Sequence, residues 1–285
     1  MNQPLQHHPQ ASFVSLSIEA SGSNHGVRER RLVCVAEETP VGFRYNGFAH
    51  AVMMATPDDL DDFAAGFSLS EGIIEYSENA PETSISRCED GITIDVTLGG
   101  RDLHRYLAGR RVRQLRGHTS CGLCGVEDLS DVARPLGRVP PGPPLDTGLI
   151  QSALATLRQW QPLSRQTRGA HASAWVGLDG QLHTVREDVG RHNSLDKLIG
   201  ALIRGPAPRH EGFCVITSRC SFEMVQKAVA ARFPTLVSVG SPTAHALRLA
   251  RASGLTLYSL ARDGEPLLFA SPLLAEAGAW PELAS

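Results

Sequence analysis

Apolar and polar residues alternate with a period of two in three runs between residues 31 and 56, namely RLVCVAEE, VGFRYNG and FAHAVMMAT. This period is typical of strands with one buried face. Asn46 and Gly47 lie between two of these runs, and both tolerate a positive φ, so they predict a tight hairpin turn. Two further strand-like runs occur around Arg87 and over residues 91–98.

A helix is predicted between these strands. Thr56 is a suitable N-cap, Pro57 suits the first turn, and Asp58 and Asp59 suit the positive end of the helix dipole. Apolar residues then recur with helical spacing at positions 60, 63, 64 and 67. Together the helix and the strands predict a compact α+β unit.

From residue 147 onward, helical and strand-like segments alternate. The predicted helices cover 147–160, 190–203 and 222–233, the last with Ser221 as N-cap, and a segment after Pro242 that ends at Gly254. The predicted strands are 172–177, 182–186, 213–217, TLVSV, LTLYSLA and PLLFA. Strands separated by helices of this length predict a largely parallel sheet covered on both faces.

A proline-rich stretch separates the two parts, with five prolines between residues 135 and 144. Such a composition favours an extended connection. The sequence therefore predicts four segments: a flexible polar tail (1–28), an N-terminal α+β domain (29–116), a loop and connection (117–146) and an α/β domain (147–285).

Composition excludes several classes of protein. The net charge of −3 argues against a general nucleic-acid binder, which is normally basic. No apolar run reaches the ~18 residues that a membrane span needs, and the N-terminus lacks the basic start and apolar core of a secretory signal. The six cysteines, of which only two lie close together, are typical of reduced thiols rather than a disulfide scaffold. We therefore expect a cytoplasmic protein without a nucleic-acid or membrane partner.

The two neighbouring cysteines, Cys121 and Cys124, form the motif CGLCG. Such a pair can share a metal, form a small disulfide or supply a nucleophile. Six arginines between residues 101 and 116 precede the motif and favour the reactive thiolate. A tetrahedral zinc site needs four ligands, and no second cysteine pair supplies them. The motif also lacks the preceding proline and the upstream His-x-Glu of zinc deaminases.

A second polar constellation, REDVGRHNSLDK, covers residues 186–197 between a predicted strand and helix. The junction Ser218–Ser221 is similar, with Arg219 beside a helix N-terminus that suits an anion. Strand-to-helix junctions of this kind present the ligand crevice of an α/β sheet. Lys197 and Lys227 are the two lysines among 27 basic residues, and we expect a helix-surface role for Lys227.

Several stretches together resemble the formate dehydrogenase accessory sulfurtransferase family. They are FSLSEGIIE, CGLCG, REDVGRHNSLDKLIG, TSRCSFEMVQKA and SPTAHALRLARASGLTL, and the resemblance runs from about Glu37 to Phe269. It implies a cytidine-deaminase-like three-layer α/β domain joined to the smaller N-terminal α+β domain, with the chain forming a homodimer. Because the cysteine spacing supplies no complete ligand set, we predict no structural metal.

The resemblance also implies an activity, that of a sulfur carrier. Cys121 would accept sulfur from a cysteine desulfurase as a persulfide, with Cys124 in a supporting role. The acceptor would be the bis-guanylate molybdenum cofactor, Mo-bisMGD, before its insertion into the catalytic subunit of formate dehydrogenase. The segment implied to hold the nucleotide end of that cofactor is Leu260, Ala261, Arg262, Asp263, Gly264 and Glu265. In this chain Leu260 replaces a common aromatic residue, and Asp263 and Glu265 add two acids.

Two other functions remain open from the residues alone. A zinc- or cofactor-binding chaperone would escort the molybdenum cofactor without covalent chemistry and would depend equally on Cys121 and Cys124. A dithiol oxidoreductase would form a reversible disulfide between the same two residues. The oxidoreductase leaves the polar constellation at 186–197 without a role.

Overall fold

A computed structural model describes residues 11–21, 28–76, 79–114, 137–206 and 211–276 of the chain. The strands are β1 (Phe13–Ser21), β2 (Arg28–Ala36), β3 (Thr39–Tyr45), β4 (Phe48–Ala55), β5 (Glu82–Cys88), β6 (Gly91–Thr97), β7 (His171–Gly177), β8 (Leu182–Asp188), β9 (Gly212–Cys220), β10 (Thr235–Pro242), β11 (Thr256–Leu260) and β12 (Pro266–Ala270). The helices are α1 (Leu60–Ser70), α2 (Gly100–Gln114), α3 (Thr147–Leu157), α4 (Pro162–Thr167), α5 (Arg191–Arg204), α6 (Phe222–Ala230), α7 (Ala244–Ser253) and α8 (Pro272–Glu276).

The first two strands form an antiparallel ribbon of their own, in which Phe13 pairs with Ala36 and Ser21 with Arg28. The prediction of a polar tail up to residue 28 is therefore wrong for β1. The signal was present in the sequence, because Val14, Leu16 and Ile18 alternate with small or polar residues. The rest of the predicted tail, residues 1–10 and 22–27, lies outside the described part.

The N-terminal sheet has four strands in the order β4-β3-β6-β5. The predicted hairpin is confirmed: Asn46 and Gly47 join β3 to β4 with φ values of 49° and 79°. Strands β3 and β6 run parallel. The chain passes from β3 through β4, α1 and β5, and β6 then begins beside the start of β3. Val41, Phe43, Ile92 and Ile94 all point to the face that is buried.

Helix α1 begins later than the sequence predicts. Asp59 occupies the N-cap position with a φ of 53°, and no side chain caps the helix. The prediction of Thr56 as N-cap is wrong, because tertiary partners occupy its polar groups: its Oγ1 accepts a hydrogen bond from the Val189 N–H, 3.2 Å away. The predicted apolar face is confirmed, since Phe63 and Phe67 are both buried.

The large sheet has six strands in the order β12-β11-β10-β9-β7-β8. Only β9, β10 and β11 run parallel to one another, so the sheet is mixed rather than largely parallel. The reason is local. β7–β8 and β11–β12 are hairpins, which force antiparallel pairing, and β7 also pairs antiparallel with β9.

Helices cover both faces of this sheet. Phe213 and Val215 pack with Ile150 of α3 on one face, whereas Cys214 and Ile216 belong to the cluster formed with α5, α6 and α7 on the other. That second cluster continues through α1 into the four-stranded sheet. The two units thus share one hydrophobic core, in which α1 packs along α5.

The structure describes only part of the segment between the two units. Five of the six arginines between residues 101 and 116 lie in helix α2, which the sequence pattern did not predict. Residues 137–146 are described and contain no helix or strand. Cys121 and Cys124 lie outside the described residues.

Candidate functional site

Five chain segments meet at one edge of the six-stranded sheet. The parallel strands β9, β10 and β11 all end there, and because β7 is antiparallel to β9, β7 begins there and β8 ends there. This edge therefore contains both predicted strand-to-helix junctions and the turn after β11. It corresponds to the position where open α/β sheets bind ligands.

Part of the polar constellation at 186–197 is buried and structural. The Lys197 ammonium lies 2.7 Å from the Asp188 carboxylate, and neither side chain is exposed. Lys197 also donates to the Thr56 carbonyl oxygen at 2.9 Å, while Asp188 accepts from the Thr56 N–H at 3.0 Å and from Asn193 Nδ2 at 3.0 Å. These groups meet one another's hydrogen-bonding and charge requirements, and they connect the end of β4 to the start of α5.

A second buried network surrounds the other lysine. Lys227 Nζ lies 2.8 Å from Asp196, and Ser70 of α1 donates to the same carboxylate at 2.6 Å. The expected helix-surface role of Lys227 is wrong, because only 7% of this residue is exposed. Burial lowers the pKa of Lys227, but the carboxylates of Asp196 and Glu71 outweigh burial and leave this pKa raised. The ammonium therefore stays charged and joins α6 to α5 and α1.

Two further residues of the constellation bind neighbouring elements. Arg186 contacts Asp62 of α1 through Nε at 2.8 Å and Nη2 at 2.7 Å. Glu187 accepts hydrogen bonds from the N–H groups of Leu163 and Ser164 in the first turn of α4. Most residues of the 186–197 segment thus hold the fold together. Arg191 and His192 lie where the strands β8, β9, β10 and β11 end.

His192 links the first turn of α5 to the first turn of α6. Its Nε2 lies 2.9 Å from Oε2 of Glu223, and the Ser221 hydroxyl donates to the same oxygen at 3.3 Å. The hydrogen bond from His192 is the main reason that the pKa of Glu223 is lowered. His171, at the start of β7, has a lowered pKa because it is partly buried and because Arg191 is near.

The predicted cofactor segment 260–265 is the hairpin turn between β11 and β12, at the same edge of the sheet. The N–H of Ala261 donates to the Glu265 carbonyl at 2.8 Å, and Gly264 has a φ of 86°. The side chains of Arg262, Asp263 and Glu265 are exposed. The strand before the turn is tied to β10 by the Ser259 hydroxyl, which donates to the Gly240 carbonyl at 3.1 Å.

The described cysteines differ sharply in their surroundings. Cys214 and Cys220 are buried within and at the end of β9, and burial raises the pKa of Cys220 to about 12. Cys88 is exposed and Cys34 is half-buried. A thiol with so high a pKa is not the nucleophile of a sulfur-transfer reaction. Of the described residues, no three His, Cys, Asp or Glu side chains form a group that could hold a metal ion.

The fold and this edge define a mixed α/β protein in which two helix N-termini and several cationic side chains converge at the ends of the strands. A family model described as the FdhD/NarQ family matches residues 36–273. The chain belongs to this family, and the resemblance found in the sequence is confirmed. Within the described ranges, each helix is too short or too polar to cross a bilayer.

Individual relatives match over most of their length. A sulfur carrier protein FdhD from Variovorax paradoxus (strain S110) is 44% identical over 238 residues, which cover 84% of this chain and 85% of the relative. A sulfur carrier protein FdhD from Xanthomonas euvesicatoria pv. vesicatoria (strain 85-10) is 42% identical over 248 residues, or 86% of both chains. A crystal structure of a candidate formate dehydrogenase accessory protein from Desulfotalea psychrophila has a TM-score of 0.65 at 26% identity and covers 90% of this chain and 97% of its own.

Proposed function

We propose that this protein is a sulfur carrier that supports the maturation of formate dehydrogenase. The observation that carries the proposal is the 42–44% identity to proteins named sulfur carrier protein FdhD, over about 85% of both chains. A likeness of this extent over most of both chains favours a shared activity over a shared fold alone.

Cys121 is the proposed carrier residue. Its thiolate attacks the terminal sulfur of a persulfide on a cysteine desulfurase. A new S–S bond forms on Cys121, the S–S bond of the donor breaks, and the donor cysteine leaves as a thiolate. The six arginines between residues 101 and 116 support this step, because positive charge favours the attacking thiolate. Cys124 has a supporting role.

The proposed acceptor of the sulfur is Mo-bisMGD, on its way to the catalytic subunit of formate dehydrogenase. We assign its nucleotide end to the turn formed by residues 260–265, which ends β11 at the charged edge of the sheet. The exposed guanidinium of Arg262 suits a phosphate group. Homodimer formation and a cytoplasmic location complete the proposal.

Intact-mass measurement tests the carrier step directly. The purified chain is incubated with an active cysteine desulfurase and free cysteine, alongside Cys121→Ala, Cys124→Ala and Cys88→Ala. We expect the wild type, Cys124→Ala and Cys88→Ala to gain a sulfur adduct, and a reductant to remove it. We expect no adduct on Cys121→Ala. Cys88 is the matched control because its thiol is exposed but lies on the N-terminal sheet.

The other functions predict different outcomes of the same experiment. No adduct on the wild type, together with bound molybdenum cofactor after expression, would support a non-covalent chaperone. A loss of two hydrogens that depends on both Cys121 and Cys124 would support a dithiol oxidoreductase. An adduct that persists in Cys121→Ala would move the carrier role to another cysteine.

A further inference from the structure

Strands β1 and β2 form a ribbon that joins neither of the two larger sheets. Among the described strands they pair only with each other, from Phe13 opposite Ala36 to Ser21 opposite Arg28. At about 3.3 Å per residue, each strand of the ribbon is ~30 Å long. Two strands alone are marginally stable in water, so a ribbon of this length needs a surface that covers part of it.

The ribbon is attached to the rest of the protein at one end, which we call its base. There the Ser12 hydroxyl donates to the Asp58 carboxylate, and the Glu37 N–H donates to the Ser12 carbonyl oxygen at 2.9 Å. Ala36 lies next to Gly169, because a Cβ atom on Gly169 would be 3.5 Å from the Ala36 Cβ. The side of the ribbon that carries Ala36 therefore rests on the segment that follows α4, and the opposite side is turned away from it.

That opposite side of the ribbon is aliphatic. Side chains alternate along a strand, and residues paired across two strands point to the same side, so five aliphatic residues lie together. They are Val14, Leu16, Ile18, Val33 and Val35, and we call them the ribbon face. Leu16, Val35 and Ile18 are 37%, 44% and 45% exposed. Single exposed apolar residues are common on proteins, whereas a contiguous group of them marks an interaction surface.

Opposite charges lie at the two ends of the ribbon face. Arg31 pairs with Ile18 and is exposed at the end away from the base. Glu37 lies two residues beyond Val35 and continues the ladder to Ser12, so it extends the same side of the ribbon at the base. Six residues, or ~20 Å, separate Arg31 from Glu37. The surface is thus basic at one end, aliphatic in the middle and acidic at the other end.

We propose that the ribbon face binds the ribbon face of a second copy of this chain. A two-fold axis level with Ser15 and Cys34 makes the two ribbons antiparallel, so that Arg31 of one copy meets Glu37 of the other at both ends. Such a contact uses the same surface of both subunits and closes at two copies.

The charges favour a second copy over a different protein as the occupant. A uniformly acidic or uniformly basic partner would match only one end of the surface, whereas a second copy matches both ends. The choice of a second copy rests on the homodimer of the proposed function. The aliphatic face and its two charged ends stand on the geometry of the ribbon alone.

Analytical ultracentrifugation of the full-length protein over a range of concentrations tests the contact. We expect a wild-type dimer, and for Leu16→Asp a dimer dissociation constant at least about tenfold higher, because a carboxylate without a partner is costly to bury among aliphatic residues. Leu32→Asp is the matched control: Leu32 is on the same ribbon and 76% exposed, but it points to the opposite side. A monomeric wild type, or equal effects of the two changes, would overturn the proposal.

A charge exchange tests the same contact without changing an aliphatic residue. Arg31→Glu should raise the dimer dissociation constant by about threefold or more, since like charges then meet at both ends. Adding Glu37→Arg to the same chain makes every contact one between opposite charges again, and should return the constant towards the wild-type value. A double variant that dimerises no better than Arg31→Glu alone would contradict the antiparallel arrangement.

Sulfur loading, followed by intact mass, separates this inference from the sulfur-carrier proposal. A wild-type dimer that Leu16→Asp dissociates but that gains no sulfur would support the ribbon contact and reject the carrier role. Loading of Cys121 in a chain whose dimer survives Leu16→Asp would reject the ribbon contact alone. A monomeric chain that binds the catalytic subunit of formate dehydrogenase, and loses this binding in Leu16→Asp, would overturn the second copy as the occupant.

Discussion

The backbone of Gly200 on α5 lies directly against the backbone of Asp62 on α1. A Cβ atom on Gly200 would be 1.7 Å from the Asp62 carbonyl oxygen, and a Cβ atom on Gly66 would be 1.7 Å from the Asp196 carbonyl oxygen. The two helices therefore cross through a pair of glycines. This close approach brings Ser70 of α1 within hydrogen-bonding distance of Asp196.

Gly200→Ala should destabilise the protein by about 2 kcal/mol or more, because the added methyl group forces the helices apart. This effect opposes the gain of about 1 kcal/mol that alanine brings to an ordinary helix position. Gly109→Ala on α2 is the matched control, since nothing lies within 4 Å of its Cβ position. Urea unfolding of both variants checks the prediction, and a Gly200→Ala variant as stable as Gly109→Ala would contradict it.

Lys197→Met should lower the free energy of unfolding by about 3–5 kcal/mol, because it leaves the fully buried carboxylate of Asp188 without its counter-charge. Arg105→Met removes the more exposed contact with Glu75, which is 3.2 Å long, and should cost no more than about 1 kcal/mol. Chemical denaturation measures both. Similar losses in the two variants would mean that the buried pair stabilises the fold no more than a surface pair.

The buried thiols should be inert in the folded protein. Cys214 and Cys220 have no exposed surface, and burial raises both thiol pKa values, whereas Cys88 is exposed. We expect a maleimide at pH 7 to label Cys88 quickly and to label the two buried cysteines only after unfolding. Peptide mapping by mass spectrometry identifies each site. Sulfur loading should also survive in the double variant Cys214→Ala, Cys220→Ala, provided that this variant folds.

His171 should make the protein less stable in mild acid. Its pKa is lowered in the folded state, by burial first and then by Arg191, so the unfolded chain binds more protons below a pH of about 6.5. Stability contributed by the neutral ring is therefore lost as pH falls from this value through the folded pKa. His171→Gln should show a smaller loss of unfolding free energy between pH 7 and pH 5.5 than the wild type. An identical loss would exclude His171 as the cause.

Local sequence patterns were sufficient for much of the fold. The turn at Asn46 and Gly47 requires positive φ values that few residues adopt, and the apolar face of α1 follows from helical spacing alone. The end of α7 at Gly254, which has a φ of 71°, is of the same kind. Each of these features depends on interactions between residues that are near in sequence. A local sequence pattern is therefore enough to predict it. The family followed from long motifs in a fixed order.

Only the tertiary structure decided which polar residues of those motifs are structural. In the sequence, four charged residues of these motifs resemble residues that bind ligands: Asp188, Asp196, Lys197 and Lys227. In the folded protein, α1 and the end of β4 cover them. Thr56 looked like a helix cap because its partners, at positions 188, 189 and 197, are more than 130 residues away. The physical reason is that burial and charge pairing depend on packing between distant segments, which a local pattern does not contain. What that packing leaves at the sheet edge is Arg191, His192 and Arg219.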